Sequence, residues 1–410
     1  MEVQILSRAP TGFVKFFEAD RKVCRPKNRE VQFGALCLKM REPFMKKAIF
    51  FLLFWLFLTN IFALLVLNRF NLKGDTAYAW IDPLKTVQEQ SWNPVSLHSR
   101  WDSFFYVDIA KQGYHLTPGD TLSNIVFFPL YPLLIHAFSP LFFGNFIFAG
   151  WFISILSLIG AVTVFYKLLK EFHPTIDPET PILYLLIFPT AFFLNAVYTE
   201  SLFLILSLLT FYYALKGRFG VAGIFGLLAA LTRVTGILLF IPVLWEFWKK
   251  HRTRKIFSLS FLPLLLVPLG TFLFFLYHYF AFGDFLLFLK VESAWGRAFQ
   301  FNKDHFLLFS HPAVINFFLD IAFAIFALIT AYHVFKQKWV SYGLYILATL
   351  GVALSTGTFM SIGRYILVLF PIYIALATIR SHHFEKIYTL GSLLLFALNV
   401  TLFVNWYWAG

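Results

Sequence analysis

Cysteine is almost absent. Cys24 and Cys37 are the two in 410 residues, both lie ahead of the first apolar run, and neither has metal-ligand spacing, so there is no case for a disulfide framework or a thiolate site. Charge is scarce too: 13% of residues are charged, and 21 acidic residues face 34 basic ones. A P-loop, an HExxH pair and a Gly-rich dinucleotide fingerprint are all missing, which removes the usual nucleotide-cradling and zincin chemistries. No solenoid period, low-complexity linker or soluble domain is visible.

What fills the chain is apolar surface. With 59% hydrophobic residues, 20% aromatic and 55 Phe, a water-soluble core could not hide it all. Several runs reach the roughly 20 residues that cross a bilayer as helix, so backbone groups are satisfied within helices. The expected fold class is all-α: a polytopic integral membrane protein of about 11 transmembrane helices. The net charge of +13 sits in short clusters beside the apolar runs. That pattern reads as topology and points to the lipid bilayer as partner, with no nucleic acid.

Residues 1–47 form a basic tail, placed in the cytoplasm by the positive-inside tendency. Met45-Lys46-Lys47 followed by the apolar run 48–67 resembles an ordinary start, so residues 1–44 are either a dispensable extension or a tail drawn to anionic lipid. The run is too long for a signal-peptide core and stays as an anchor. Residues 48–410 then read as one multi-pass domain, with a first outer loop at about 69–144 and a second at about 281–312. Within the first loop, 125–143 carries Pro129, Pro132 and Pro140 and is expected to be re-entrant or interfacial. Lys167 and Lys170 bring the run 145–169 back inside; 181–197 goes out, and 201–215 returns to Lys216 and Arg218. The segment 219–248 has basic clusters at both ends, so it must turn back, with Thr232-Arg233-Val234-Thr235-Gly236 as apex and Gly220, Gly223 and Gly226 permitting close helix packing. Later spans are expected at 256–280, 313–335, 339–356, 362–379 and 386–406, leaving the C-terminus outside.

The stretch 98–132 is polar and aromatic between apolar runs. Trp101, Asp102, Phe105, Tyr106, Ile109, Ala110, Gly113 and Tyr114 recur at the spacing of one helical face. A carboxylate held there beside aromatic rings would have a raised pKa, as suits a proton acceptor. The same spacing also fits an interfacial helix with an aromatic belt and an incidental acid. Charges at membrane depth are functional suspects. Glu200 and Arg233 fit either a structural ion pair or the site of an anionic ligand, Arg being the cation best shaped for phosphate. Arg297 and Arg364 fall at the outer boundary, where an Arg either snorkels to headgroups or serves a site. His98, His115 and His136 share one region without the spacing or carboxylates of a metal site, and no metal is expected.

The blocks Trp101-Asp102-x-x-x-Tyr106-x-x-Ile109-Ala110-x-x-Gly113-Tyr114 and Phe127-Phe128-Pro129-Leu130-Tyr131-Pro132 resemble the signature of the PIG-V type mannosyltransferases, within the multi-pass GT-C glycosyltransferases. Further similar blocks follow in order: Tyr198-Thr199-Glu200-Ser201-Leu202-Phe203, Leu231-Thr232-Arg233-x-Thr235-Gly236, Phe282-Gly283-Asp284 with Trp295, and Gly363-Arg364-Tyr365 before Phe370-Pro371. The resemblance implies transfer of mannose or a similar hexose, with inversion, from a polyprenyl- or dolichyl-phosphate donor to a glycan or glycolipid hydroxyl on the outer or lumenal face. Asp102 would be the general base, and Arg233, Arg297 or Arg364 would stabilise the departing phosphate. Trp101, Tyr106, Tyr114, Tyr131, Glu200, Trp295 and Tyr365 would complete the substrate site. No cofactor is implied, the lipid-phosphate sugar being itself a substrate. In eukaryotes the family adds the second mannose of the glycosylphosphatidylinositol anchor, while bacterial and archaeal relatives use other acceptors. The only Asn-x-Ser/Thr match, Asn399-Val400-Thr401, lies within the last expected span, which favours a bacterial plasma membrane over an endoplasmic reticulum membrane. The rival classes are a lipid-linked sugar flippase, which would place its charges near mid-membrane in related halves, and a non-catalytic scaffold.

Overall fold

The computed structural model describes residues 33–70, 94–116, 123–251, 259–294, 314–356 and 359–409. The chain divides into two compact units, Met1–Lys46 and Lys47–Gly410. The described part of the first unit is helical. All regular structure among the described residues is helical, as the composition demands. The α-helices are α1 (Phe33–Arg69), α2 (Ser103–Gln112), α3 (Leu130–Phe138), α4 (Phe146–Phe172), α5 (Glu179–Leu186), α6 (Glu200–Leu215), α7 (Phe219–Ala230), α8 (Phe240–Lys250), α9 (Leu266–Phe282), α10 (Leu287–Ala294), α11 (Val314–Lys336), α12 (Val340–Ser355), α13 (Ile362–Leu367), α14 (Phe370–Leu376) and α15 (His382–Val404).

Among the described residues, five helical stretches are long and apolar enough to cross a membrane: Met45–Arg69, Phe146–Phe172, Ser260–Phe282, Asn316–Lys336 and His382–Val404. Leu130–Phe142, Glu200–Leu215, Phe219–Ala230 and Val340–Ser355 are shorter apolar helices. This is a multi-pass membrane protein. Its spanning helices keep lipid-facing rows of large apolar side chains, such as Phe50, Leu53, Phe54 and Phe57 on α1, all exposed in the bare protein.

Two of the expected spans are not continuous helices. The run 181–197 stops at Leu186 and resumes as a 3-10 turn, Ala191–Asn195. Pro189 lacks an N–H and bars its predecessor from helical backbone, which ends α5 there. The run 362–379 is likewise split into α13 and α14, with Pro371 in the first turn of α14. Irregular backbone at membrane depth survives only where protein supplies its hydrogen bonds, and here protein does. Asn399 Nδ2 donates to the Pro189 carbonyl at 3.0 Å, Ser201 Oγ to Leu194 O at 2.7 Å, and Tyr373 OH to Leu367 O at 3.0 Å. Thr190 Oγ1 joins the two broken segments directly, donating to Gly363 O at 2.9 Å. Both segments are buried on every side, so the discontinuities lie in the core of the bundle.

The segment 219–248 turns back. α7 and α8 run antiparallel, and Lys250 Nζ returns to within 3.5 Å of Lys216 O, next to the start of α7. Arg233 lies at the apex with extended backbone, φ −153° and ψ 150°. Gly223 and Gly226 do let α7 approach its neighbour closely: a Cβ on Gly223 would come within 2.1 Å of Pro263 O, and one on Gly226 within 2.5 Å of a Val267 methyl. Gly220, expected to share this role, faces open space. The stretch 125–143 holds the end of a 3-10 turn, Asn124–Val126, then α3 and a second 3-10 turn, Ser139–Phe142. The continuous helical stretch Leu130–Phe142 rises about 20 Å, still well short of the roughly 30 Å bilayer core.

Candidate functional site

The expected helix face around Asp102 is shorter than its spacing suggested. α2 begins at Ser103, and Trp101 lies before it in left-handed backbone, φ 50°. Gly113 ends the helix at φ 79°, so Tyr114 lies beyond it. Asp102 is the N-cap, yet its side chain makes no capping bond. An Asp at that position ordinarily accepts from the first turn; this one turns instead toward Arg364. Its own backbone N–H donates to Tyr198 OH at 3.2 Å, and that hydroxyl donates to Arg100 O at 2.9 Å. The turn is thereby fastened to the broken segment that ends at α6.

Four charged side chains alternate in sign. Arg364 Nη1 donates to Asp102 Oδ2 at 2.6 Å, Arg364 Nε to Glu200 Oε1 at 2.9 Å, and Arg233 Nη1 to the same Glu200 oxygen at 2.8 Å. The Arg364 guanidinium lies over the rings of Phe193 and Tyr198, 4.9 and 4.8 Å from their centroids, and Arg233 lies 5.4 Å from that of Tyr365. Two carboxylates and two guanidiniums leave the set neutral, which is what makes its burial tolerable. Glu200 is fully enclosed, with Oε2 lacking a partner among the described residues. Asp102 and Arg233 remain partly open, at 13% and 11% side-chain exposure.

Those two, with Arg364, line a cavity of about 90 Å³ together with Tyr106, Phe127, Phe128, Thr232, Ser361, Tyr365, Glu292 and Trp408. Its volume exceeds what one water needs. Of the residues singled out from sequence, Asp102, Tyr106, Arg233, Arg364 and Tyr365 meet here, and Glu200 stands directly behind. Arg364 is no snorkelling boundary residue: it is buried and is the hub of the set. Asp102 does not sit in purely apolar surroundings, since a guanidinium occupies one carboxylate oxygen.

Trp101, Tyr114 and Tyr131 lie off the cavity. Tyr131 OH bonds Gly150 O and Ser154 Oγ at 2.9 and 2.8 Å, which ties α3 to α4. Tyr114 OH donates to Phe127 O at 2.6 Å and steadies the backbone of the lining segment. Trp101 packs edge-on against Trp406 and Trp408, 6.2 and 5.6 Å between centroids. Trp295 and Arg297 lie outside the described residues. The three histidines stand apart: His98 stacks on Trp151, His136 bonds Ala110 O, and His115 faces Asp108. Burial lowers the His98 imidazole to about 4, with its hydrogen bond to the Asn195 backbone opposing and Arg100 adding to the fall.

Trp408 and Glu292 went unrecognised in the sequence. Trp408 lies past the last helix, where aromatic residues read as interfacial anchors, and Glu292 carries no motif. Asn316 Nδ2 holds Trp408 O at 3.1 Å, and Arg100 Nε holds Val404 O at 3.2 Å, which folds this end of the chain onto the site.

No family model and no curated protein matches the sequence. Among solved structures, the chain is similar to ArnT from Cupriavidus metallidurans bound to undecaprenyl phosphate, at 14% identity and a TM-score of 0.43, over 86% of this chain and 76% of that one.

Proposed function

We propose that this protein is a membrane glycosyltransferase that moves mannose, or a similar hexose, from a polyprenyl-phosphate donor to a glycan or glycolipid hydroxyl, with inversion. The observation that carries this reading is the convergence of Asp102, Arg233 and Arg364, backed by Glu200, on one cavity. These residues are scattered over the blocks that resemble the PIG-V type enzymes, and a scaffold has no need to gather them. A flippase would place its charges in related halves of the bundle, whereas these four form one cluster.

In the proposed reaction the acceptor hydroxyl enters against Asp102 Oδ1, the oxygen that Arg364 leaves free. Its proton passes to that carboxylate as the new C–O bond forms at the anomeric carbon. The bond from that carbon to the phosphate oxygen breaks, and the electron pair leaves with the polyprenyl phosphate. Arg233 is the better placed cation for that phosphate: it faces the cavity and spends one N–H on Glu200. Arg364 is committed to two carboxylates and holds Asp102 in place. Rings of Phe127, Phe128, Tyr365 and Trp408 offer stacking faces for a sugar.

Membranes containing the protein, given radiolabelled polyprenyl-phosphate mannose and extracted lipids and glycans, should transfer the label to an identifiable acceptor. Absence of transfer, or equal transfer directly from GDP-mannose, would overturn the proposal.

A further inference from the structure

Asp320 is a carboxylate in the second turn of a spanning helix, α11, and the reaction above makes no use of it. It is 9% exposed and forms no ion pair among the described residues. An acid at that depth is costly to keep. The carboxylate instead faces two backbone groups, the N–H of Gly363 and of Ile362, the pair that opens α13. Ile362 N donates to Phe359 O at 3.3 Å, whereas the Gly363 N–H has no acceptor on the backbone of the described residues.

The carbonyl of the same glycine accepts from Thr190 Oγ1 at 2.9 Å, so residue 363 is gripped through both its polar groups. Its α-carbon is gripped as well: an added Cβ would come within 3.0 Å of Thr190 Cγ2 and 3.1 Å of the Phe323 ring. Phe323 and Asp320 are three residues apart on α11 and so share a face. The turn entering this clamp is itself unusual, with Ser361 at φ 70°, a left-handed conformation that a non-glycine residue keeps only when its surroundings enforce it. The very next residue after the clamp is Arg364, which has no freedom to serve Asp102 and Glu200 unless its α-carbon is fixed.

We infer that Asp320 is a positioning residue: by accepting the Gly363 N–H it sets the Ser361–Gly363 turn, and thereby aims the Arg364 guanidinium at Asp102 and Glu200. The inference rests on the proposed function for its catalytic consequence, but its structural half stands alone. The amide oxygen of asparagine can accept the same N–H, whereas leucine fills the volume and accepts nothing.

Three readouts on purified protein test this. Asp320→Leu should speed hydrogen exchange of the Gly363 amide while exchange in α4 stays unchanged. It should lower kcat for sugar transfer about tenfold, in the range of a lost helix-capping bond. Asp320→Asn should restore both to within about twofold of wild type. In an Arg364→Lys background, Asp320→Leu should cost little more, because both changes act through one guanidinium. The inference is overturned if Asp320→Leu leaves Gly363 exchange unchanged, if Asp320→Asn is as damaged as Asp320→Leu, or if the Leu penalty is undiminished beside Arg364→Lys. Should Asp320→Leu not fold, Asp320→Ser, polar but too short to reach, takes its place with the same expectations. If wild-type protein transfers no sugar, the function reading fails, and the exchange of Gly363 decides the inference by itself.

Discussion

Replacing Asp102 by asparagine separates what this side chain does for the fold from what it does for the reaction. In the native protein Asp102 Oδ2 takes one N–H of Arg364, and Glu200 takes another. Asparagine keeps an oxygen at that place, so Arg364 retains both contacts and loses only the ionic part of one. Removing a whole partner from a buried ion pair costs about 3–5 kcal/mol; here the loss should stay below about 3 kcal/mol, the upper end for a hydrogen bond to a charged group. Catalysis should suffer far more. A positioned general base contributes on the order of 100- to 10,000-fold, or about 3–5 kcal/mol of barrier at 1.36 kcal/mol per decade. The drop should fall on kcat with donor KM little changed. Single-turnover transfer from labelled polyprenyl-phosphate mannose, beside a melting curve in detergent, measures both effects. Turnover above about a tenth of wild type would refute Asp102 as the base. The role would then pass to Glu292, the other carboxylate that lines the cavity, and not to Glu200, which is enclosed.

Arg364→Ala strips a cation from two carboxylates at once and should destabilise the protein by about 3–5 kcal/mol, read as a falling melting temperature; an unchanged melt would contradict the tetrad. Trp408→Ala should raise acceptor or donor KM severalfold while Trp408→Phe keeps most affinity, since a ring is what the cavity wall supplies; equal KM in both would remove Trp408 from the site. His98 is neutral when folded and has its pKa lowered to about 4. The unfolded chain therefore binds the extra proton first, and stability should be full above about pH 6.5 and decline as pH falls toward 4, by up to about 1.4 kcal/mol per unit. His98→Phe should flatten that slope in pH-dependent melts. For topology, cysteines at exposed Lys111 and half-buried Asp284 should react with an impermeant reagent from outside and one at Lys249 should not; the reverse would put the cavity on the wrong face for a lipid-phosphate sugar.

Much of the frame was legible because it is local. Apolar run length set the spanning helices, and basic residues at both ends of 219–248 required the hairpin that α7 and α8 form. Three prolines mark 125–143 as irregular, but in 181–197 Pro189 alone breaks the run, and average hydropathy conceals a single missing N–H. The site was half legible. Motifs named Asp102, Glu200, Arg233 and Arg364 separately, but nothing local says that Arg364, 262 residues from Asp102, will stand against it. Tyr114 and Tyr131 illustrate the converse: a tyrosine whose hydroxyl closes on a backbone carbonyl looks the same in sequence as one that faces a sugar.

The order in which the alternating charges leave the ribosome differs from the order in which they pair. Glu200 meets Arg233 only 33 residues later, within a single helical hairpin, so the first ion pair can close as soon as α7 folds back. Asp102 must wait for a cation made 262 residues after it, and Glu200 for the same one 164 residues on. Until α13 is seated between α11 and the Pro189 break, the bundle holds one acid too many. Completion of the site is therefore coupled to completion of the membrane domain, and a chain truncated before Arg364 carries an uncompensated carboxylate inside the bundle.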